Sequence, residues 1–169
     1  MIFSDIQSQY CRHVEKDWEV LSTKSHGIYV EVGTYHGASA CAAATSTKIV
    51  HTIDIFDWKP KIWELIPEFR DKIHYYKMTS VDFSDKYKHN LIIDTLFIDG
   101  SHEYDSVKKD CEALIPMVRP GGTIFFHDHN PNNPVTGVFS AVNEFLLTFP
   151  NIQLSKEPGT SNLLQVTKL

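Results

Sequence analysis

Four short stretches carry residue types that could do chemistry. "FFHDHNPNNP", from residue 125 to 134, sets His127, Asp128 and His129 in a row before a loop of Asn and Pro. "LFIDGSHEY" places Asp99 just ahead of His102, "EVGTYHGAS" is a glycine loop from Glu31 to Ser39, and "TIDIFD" ends on Asp54 and Asp57. Imidazoles titrate near neutrality and serve as proton carriers or metal ligands. Two close carboxylates repel unless one is protonated or a cation lies between them, and oxygen ligands of that kind suit magnesium, manganese or calcium. Each stretch also has a plainer reading, as a polar strand end, a helix cap or a strand–helix packing turn.

The elements around these stretches decide between such readings. Ile6, Tyr10, Val14, Trp18 and Leu21 recur at helical spacing and predict an opening amphipathic helix. "HGIYVEVG" reads as a buried strand ending at Gly33, and the Ala-rich "HGASACAAATS" as a helix packed closely on a sheet. "KIVHTIDIF", "KIHYYKM", "IIDTLFIDG" and "GTIFFHD" follow as strands, with a helix broken at Pro67 between the first two of these four. A helix with Val107, Cys111, Leu114, Ile115 and Val118 on one stripe is closed by Pro116 and "RPGG". Asn133–Pro134 predicts the cap of a further helix along Val138, Val142, Phe145, Leu146 and Phe149. "NIQLSK" and "NLLQVTKL" close the chain as two antiparallel strands.

Strands alternating with helices imply a doubly wound, mostly parallel α/β sheet, in which ligands bind beyond the carboxyl ends of the strands. All four stretches fall at such ends. In the glycine loop, Gly33 permits a tight turn and Gly37 a close approach of backbone to ligand, ahead of a helix N-terminus. The spacing G-x-x-x-G, with Tyr35 between, does not match the G-x-G-x-x-G of a dinucleotide site. Asp54, at the tip of the second strand, could accept from both hydroxyls of a ribose; Asp54 or Asp57 could equally cap the next helix.

"EVGTYHGASA", "TIDIF" and "DTLFIDGSHEYDSVKKDCEALIPMVRPGGTIFFHDHNP" together resemble the class I S-adenosylmethionine-dependent methyltransferases. Within that class the likeness is to the catechol O-methyltransferase-like group and its short relatives of methyltransferase family 24. It covers about residues 28 to 130, with "GTSNLL" also family-like. The resemblance implies a Rossmann-like, seven-stranded sheet with helices on both faces and the last strands antiparallel. It implies that Glu31, Gly33, Thr34, Tyr35, Gly37 and Ser39 surround the methionine part of S-adenosyl-L-methionine. Asp54 would hold the ribose with Ile55 beside it, Thr79 and Ser80 would flank the adenine, and Asp99 would border the cofactor.

In the catechol-type enzymes Asp, Asp and Asn chelate magnesium. Here Asp99 and Asp128 match, but His129 stands in the third place, and an imidazole shifts preference toward manganese, iron, cobalt or zinc. A divalent cation at Asp99, Asp128 and His129 is therefore one expectation, and a metal-free acidic cleft the other. Where those enzymes carry a lysine as base, "SHEY" offers His102, with the start of the next helix as its plainer role. By strand alternation His127 points away from Asp128 toward a packed helix, as a buried, hydrogen-bonded residue. His36 would line the entrance, and Tyr35, Trp58 and Trp63 would supply apolar walls or core.

The composition bounds these readings. The 169 residues fit one domain, a helical segment over 1–26 and an α/β core over 27–169. A net charge of −5 and a pI near 5.9 argue against a nucleic-acid phosphate surface, which would need clustered Lys and Arg. Cys41 and Cys111 fit buried free thiols, and Cys11 stands apart from them. A polar N-terminus and the lack of about 18 consecutive apolar residues predict neither leader nor membrane span, hence a cytoplasmic enzyme. The expected partner is a small-molecule acceptor, in an open pocket roofed by "NPNNPVTG" or by a second subunit of a homo-oligomer. The expected reaction is methylation of a hydroxyl, with His102 as general base beside Asp99. The alternatives are a metal-independent N- or O-methyltransferase using His102 and Asp128, and a nucleoside-binding module without turnover; a nicotinamide-dependent oxidoreductase fits the glycine spacing less well.

Overall fold

A computed structural model describes residues 15–59, 61–132, 137–149, 152–153 and 162–169. Its elements are α1 Glu15–Lys24, β1 Ile28–Val32, α2 Ala38–Ala44, β2 Ile49–Asp54, a 3-10 turn Ile62–Leu65, α3 Pro67–Arg70 and β3 Ile73–Lys77. There follow α4 Ser80–Tyr87, β4 Ile93–Ile98, α5 Tyr104–Leu114, a 3-10 turn Ile115–Met117, β5 Val118–Phe126, α6 Val138–Thr148, β6 Ile152–Gln153 and β7 Leu164–Lys168. The seven strands run in the order β3-β2-β1-β4-β5-β7-β6. The first five pair in parallel, and β7 runs antiparallel to both β5 and β6. This is the expected Rossmann-like sheet.

Alternation along the strands sends side chains to two cores. Val30, Val32, Leu96, Ile98 and Phe126 face α4, α5 and α6 through Phe83, Val107, Cys111, Leu114 and Val142. Tyr29, Val50, Phe97 and Phe125 face the other way, against Trp18 and Leu21 of α1 and the alanines of α2. All seven residues of α2 are buried, and only side chains this small let a helix lie so close to the strands. Cys41 and Cys111 are buried free thiols, as expected.

Two local readings change. No helical stripe marks the chain between β3 and β4, yet α4 forms there. Its start signal is chemical: the Thr79 hydroxyl caps the helix by accepting from Asp82 N at 3.1 Å, and donates to the Asp82 carboxylate at 2.7 Å. "RPGG" does not follow the helix as a loop but lies within β5, where Gly121 has φ +75° and the pairing register with β4 shifts. Pro67 does break the expected helix, ending one 3-10 turn and opening α3. The Asn133–Pro134 cap, the first half of the opening helix and most of "NIQLSK" lie outside the described residues, as does Cys11.

The strand order reverses between β1 and β4. In such a sheet the crossovers leave toward opposite faces at that point and open a crevice beyond the carboxyl ends. Ladder bonds carry the alignment past the strands: Gly33 N donates to Ile53 O, Asp99 N to Val32 O and His127 N to Ile98 O, at 2.9, 2.9 and 3.1 Å. Gly33, Asp99 and His127 thus stand abreast. Among the described residues no helix is long and apolar enough to cross a membrane.

Candidate active site

A cavity of about 900 Å³ opens at the switch point. Val32, Gly33 and Thr34 enter it from the end of β1, and Asp54, Ile55 and Phe56 from the end of β2. Thr79 and Ser80 follow β3, Asp99 and Gly100 follow β4, and Ser39 comes from α2. Tyr35 and Trp58 form an exposed aromatic rim, their ring centroids 5.3 Å apart. Nine of the expected cofactor residues therefore line one space: Gly33, Thr34, Tyr35, Ser39, Asp54, Ile55, Thr79, Ser80 and Asp99.

Two expected contacts are instead beneath that surface. Glu31 is fully buried and receives the hydroxyls of Tyr29 at 3.0 Å and Thr52 at 2.6 Å, with Ser39 as a further partner. Burial raises its pKa from 4.5 to about 8 against those hydrogen bonds. Strand alternation explains the displacement, since Glu31 points into the core shared with α2 while its neighbour Val32 lines the cavity. Gly37 is required by packing: a Cβ there would lie 2.1 Å from the Trp63 ring, and φ is +85°. Trp63 is accordingly core, whereas Trp58 is wall. Gly33, at φ +96°, is forced for a similar reason, because a Cβ would lie 1.9 Å from Asp99 O.

The glycine loop is braced from the neighbouring strand. Asp54 Oδ2 accepts from Thr34 N at 3.0 Å and Tyr35 N at 3.1 Å, and Oδ1 from Phe56 N at 2.9 Å. A carboxylate offers about four acceptor positions, so roughly one is left facing the cavity. Tyr35 sits at φ +44°, a left-handed conformation that costs a non-glycine residue about 1–2 kcal/mol. The Asp54 bonds hold it there.

Beyond Asp99 the cavity wall gives way to an acidic corner. Asp99, His102 and Asp128 offer ligand atoms that all lie within 4.8 Å of one another. His102 Nε2 is 2.9 Å from Asp128 Oδ2, and the ring is half exposed. The segment that carries it is pinned by Gly137 N donating to His102 O at 2.8 Å, and by a turn in which Glu103 N donates to Ser101 Oγ at 3.2 Å.

His127 lies below this corner. Its Nε2 is 3.2 Å from Asp17 Oδ2, its ring stacks on Trp18 at 5.8 Å, and its Nδ1 is 3.2 Å from both Asp99 Oδ1 and Asp128 Oδ2. Nδ1 is shared between two carboxylates and squarely aligned with neither. Burial opposes charge on this ring, but Asp128, Asp17 and Asp99 outweigh it and push the pKa up to about 12. The imidazolium holds the Asp128 carboxyl below its ordinary range despite partial burial. Asp99 is raised by burial and by Asp128, with the His127 charge limiting the rise.

His127 follows strand alternation only in part, and His129 does not take the ligand place that the resemblance implies. β5 ends at Phe126, and Asp128 has φ +56°, so the chain turns there. The turn brings the Asp128 carboxylate back over His127, which packs toward α1 as expected but also touches both acids. It sends His129 the other way: that ring packs on Phe139 at 4.7 Å, near Asn143 of α6, and its amide donates to Asn162 O. The expected third ligand is therefore out of the cluster, and His102 occupies its place. Two carboxylates and an imidazole are a donor set that fits a divalent cation.

The stretch from residue 30 to residue 129 matches the model of a methyltransferase domain family. The chain belongs to that family. Fold and family together make it a class I S-adenosylmethionine-dependent methyltransferase. No curated protein sequence matches the chain. Among solved structures, the O-methyltransferase from Bacillus cereus in complex with SAH (S-adenosylhomocysteine) superposes with a TM-score of 0.72 at 14% identity, over 98% of this chain and 89% of that one. An rRNA methylase from Streptococcus thermophilus gives 0.64 at 13% identity, over 95% and 98%. The MycE methyltransferase of the mycinamycin biosynthetic pathway, solved with Mg, SAH and mycinamycin VI, gives 0.60 at 17% identity, over 98% of this chain and 53% of that one. At such identities the likeness is one of fold.

Three residues of the site carry no motif in the sequence. Asp17 and Trp18 belong to α1, where Trp18 reads as one member of an apolar stripe and Asp17 as its polar neighbour. Asp110 lies within the helical pattern of α5 as an ordinary charged position. Only the packing of α1 and α5 against the strand ends brings them to the cavity and to His127.

Proposed function

We propose that this methyltransferase moves the methyl group of S-adenosylmethionine to a hydroxyl of a small molecule, with His102 as the general base. The observation that carries this reading is the 2.9 Å contact from His102 Nε2 to Asp128 Oδ2, at the edge of the cavity wall formed by Asp99. An acidic partner fixes the imidazole in the tautomer with its proton on Nε2. The lone pair then sits on Nδ1 of the half-exposed ring. The acceptor oxygen attacks the sulfonium methyl carbon in line, the C–S bond breaks, S-adenosylhomocysteine leaves, and the hydroxyl proton passes to Nδ1. Alignment supplies most of the acceleration, and a positioned base adds about 10²–10⁴-fold.

In the cavity, Gly33, Thr34 and Ser39 take the methionine end of the cofactor and Asp54 the ribose, through the acceptor position its backbone bonds leave open. The purine lies over Ile55, between Thr79–Ser80 and Gly100. The aromatic rim of Tyr35 and Trp58 faces the acceptor side.

A second reading keeps the fold and the cofactor but gives the corner a divalent cation, held by Asp99, Asp128 and His102. The close grouping of those three donors favours it. The cation would acidify and orient the acceptor hydroxyl. One nitrogen cannot serve both readings, because an Nε2 given to a metal leaves the proton on Nδ1 and removes the base.

Radiolabelled methyl transfer to a panel of phenols, catechols, sugars and ribosomal RNA tests the proposal. Product on a hydroxylated small molecule, undiminished by EDTA and lost in His102→Gln, supports it. EDTA-sensitive transfer moves the case to the metal reading, and transfer to RNA alone refutes the small-molecule acceptor.

A further inference from the structure

Among the described residues, Asp110 is the one buried carboxylate of the cavity that neither the glycine loop nor the acidic corner uses. It projects from the middle of α5, is 8% exposed, and lines the space beside Ser80 and Gly100. Ser80 Oγ donates to its Oδ1 at 2.5 Å. That bond fixes the carboxyl plane and ties α5 to the first turn of α4. Among the described residues no donor reaches Oδ2. A Cβ built on Gly100 would lie 3.6 Å from this oxygen, so Oδ2 stands at the cavity surface where the chain after β4 has no side chain to cover it.

A buried acceptor with one oxygen braced and the other open to a ligand cavity calls for a donor from the ligand. The inference rests on the cofactor reading above. With the methionine end at the β1 loop and the ribose at Asp54, the base lies between Thr79–Ser80 and Gly100, where Asp110 meets its edge. Of the groups on that edge of adenine, the exocyclic amine is the donor. We propose that Asp110 reads the 6-amino group of the cofactor's purine and so selects adenine over a 6-oxo base. Burial raises the Asp110 pKa to about 6, against the Ser80 bond, so above pH 7 the carboxylate is an acceptor only. It pairs with an amine there and repels a carbonyl oxygen. Without a ligand the same carboxylate merely links α4 to α5. The two roles separate in their dependence on the base.

The test is calorimetric titration above pH 7 with S-adenosylhomocysteine and with S-inosylhomocysteine, which carries a 6-oxo group. The wild-type chain is expected to bind the adenine compound about 10- to 100-fold more tightly, the range of a hydrogen bond to a charged group. In Asp110→Asn the amide turns a donor toward the cavity, and the preference collapses toward unity or inverts. In Ser80→Ala, which keeps the carboxylate but frees its plane, the preference falls several-fold. Equal affinities in the wild-type chain, or an unchanged ratio in Asp110→Asn, overturn the role of Asp110 and leave the cofactor reading intact. Binding of neither compound overturns the cofactor reading itself. Equal affinities in the wild-type chain overturn the Asp110 role whether or not a variant folds.

Discussion

His102 Nε2 lies 2.9 Å from Asp128 Oδ2, although the two residues come from different strand ends. β4 and β5 are paired through Ile98 and Phe126, which sets the segments after them side by side. The turn at Asp128 then swings its carboxylate toward His102. His127, charged by three acids, supports that carboxylate from below. The cavity that suits the cofactor and the corner that suits the chemistry meet at Asp99.

This division predicts separable effects. His102→Gln should lower kcat by about 10²–10⁴-fold and leave the dissociation constant of S-adenosylhomocysteine within about twofold, because His102 lies outside the cofactor cavity. Steady-state rates and calorimetry check the pair of outcomes. A parallel loss of affinity would show that the two regions are not distinct.

Gly137→Ala should act on the same residue from a distance. A Cβ at 137 would lie 2.4 Å from Tyr104 N, a backbone atom that cannot step aside without moving the 102–104 segment. The expected result is a fall in kcat with S-adenosylhomocysteine binding preserved. An unchanged kcat would mean that the segment relaxes without shifting the imidazole.

Gly37→Ala should cost stability. It combines a positive φ with a clash on Trp63, and the two penalties come to about 2–4 kcal/mol. For a chain of this size that is a fall in Tm of roughly 4–16 °C, read by thermal unfolding. A shift below a degree or two would contradict the packing role given to this glycine.

Glu31 predicts a pH dependence. Its folded pKa is raised from 4.5 to about 8, so the stability contributed by the protonated form is fully present below pH 4.5 and is lost as the pH rises through 8. The loss is on the order of 5 kcal/mol for so buried a group. Glu31→Gln, which has no proton to lose, should gain on the wild type between pH 5 and 8, with urea midpoints diverging across that window. Parallel curves would mean that Glu31 is ionised in the folded protein.

Much of this arrangement could be read from the residues alone. Short apolar runs and the Ala-rich stretch placed the strands and α2, and acidic residues at strand ends are what a switch-point crevice collects. Three things could not be read in that way. His129 is a candidate ligand by the resemblance, through its place after Asp128, and the turn at Asp128, beyond the end of β5, sends its side chain away from the cluster. α4 has no clear apolar stripe, so its sign was the Thr79–Asp82 cap rather than periodicity. Asp17, Trp18 and Asp110 reach the site through the packing of helices, a relationship between distant parts of the chain that no local spacing encodes.

Titration of the chain with S-adenosylhomocysteine tests the placement of the cofactor most directly. One molecule should bind per chain, with affinity reduced about tenfold or more in Asp54→Ala through loss of both a ribose acceptor and the brace of the glycine loop. Absence of binding, or binding that Asp54→Ala leaves unchanged, would contradict it.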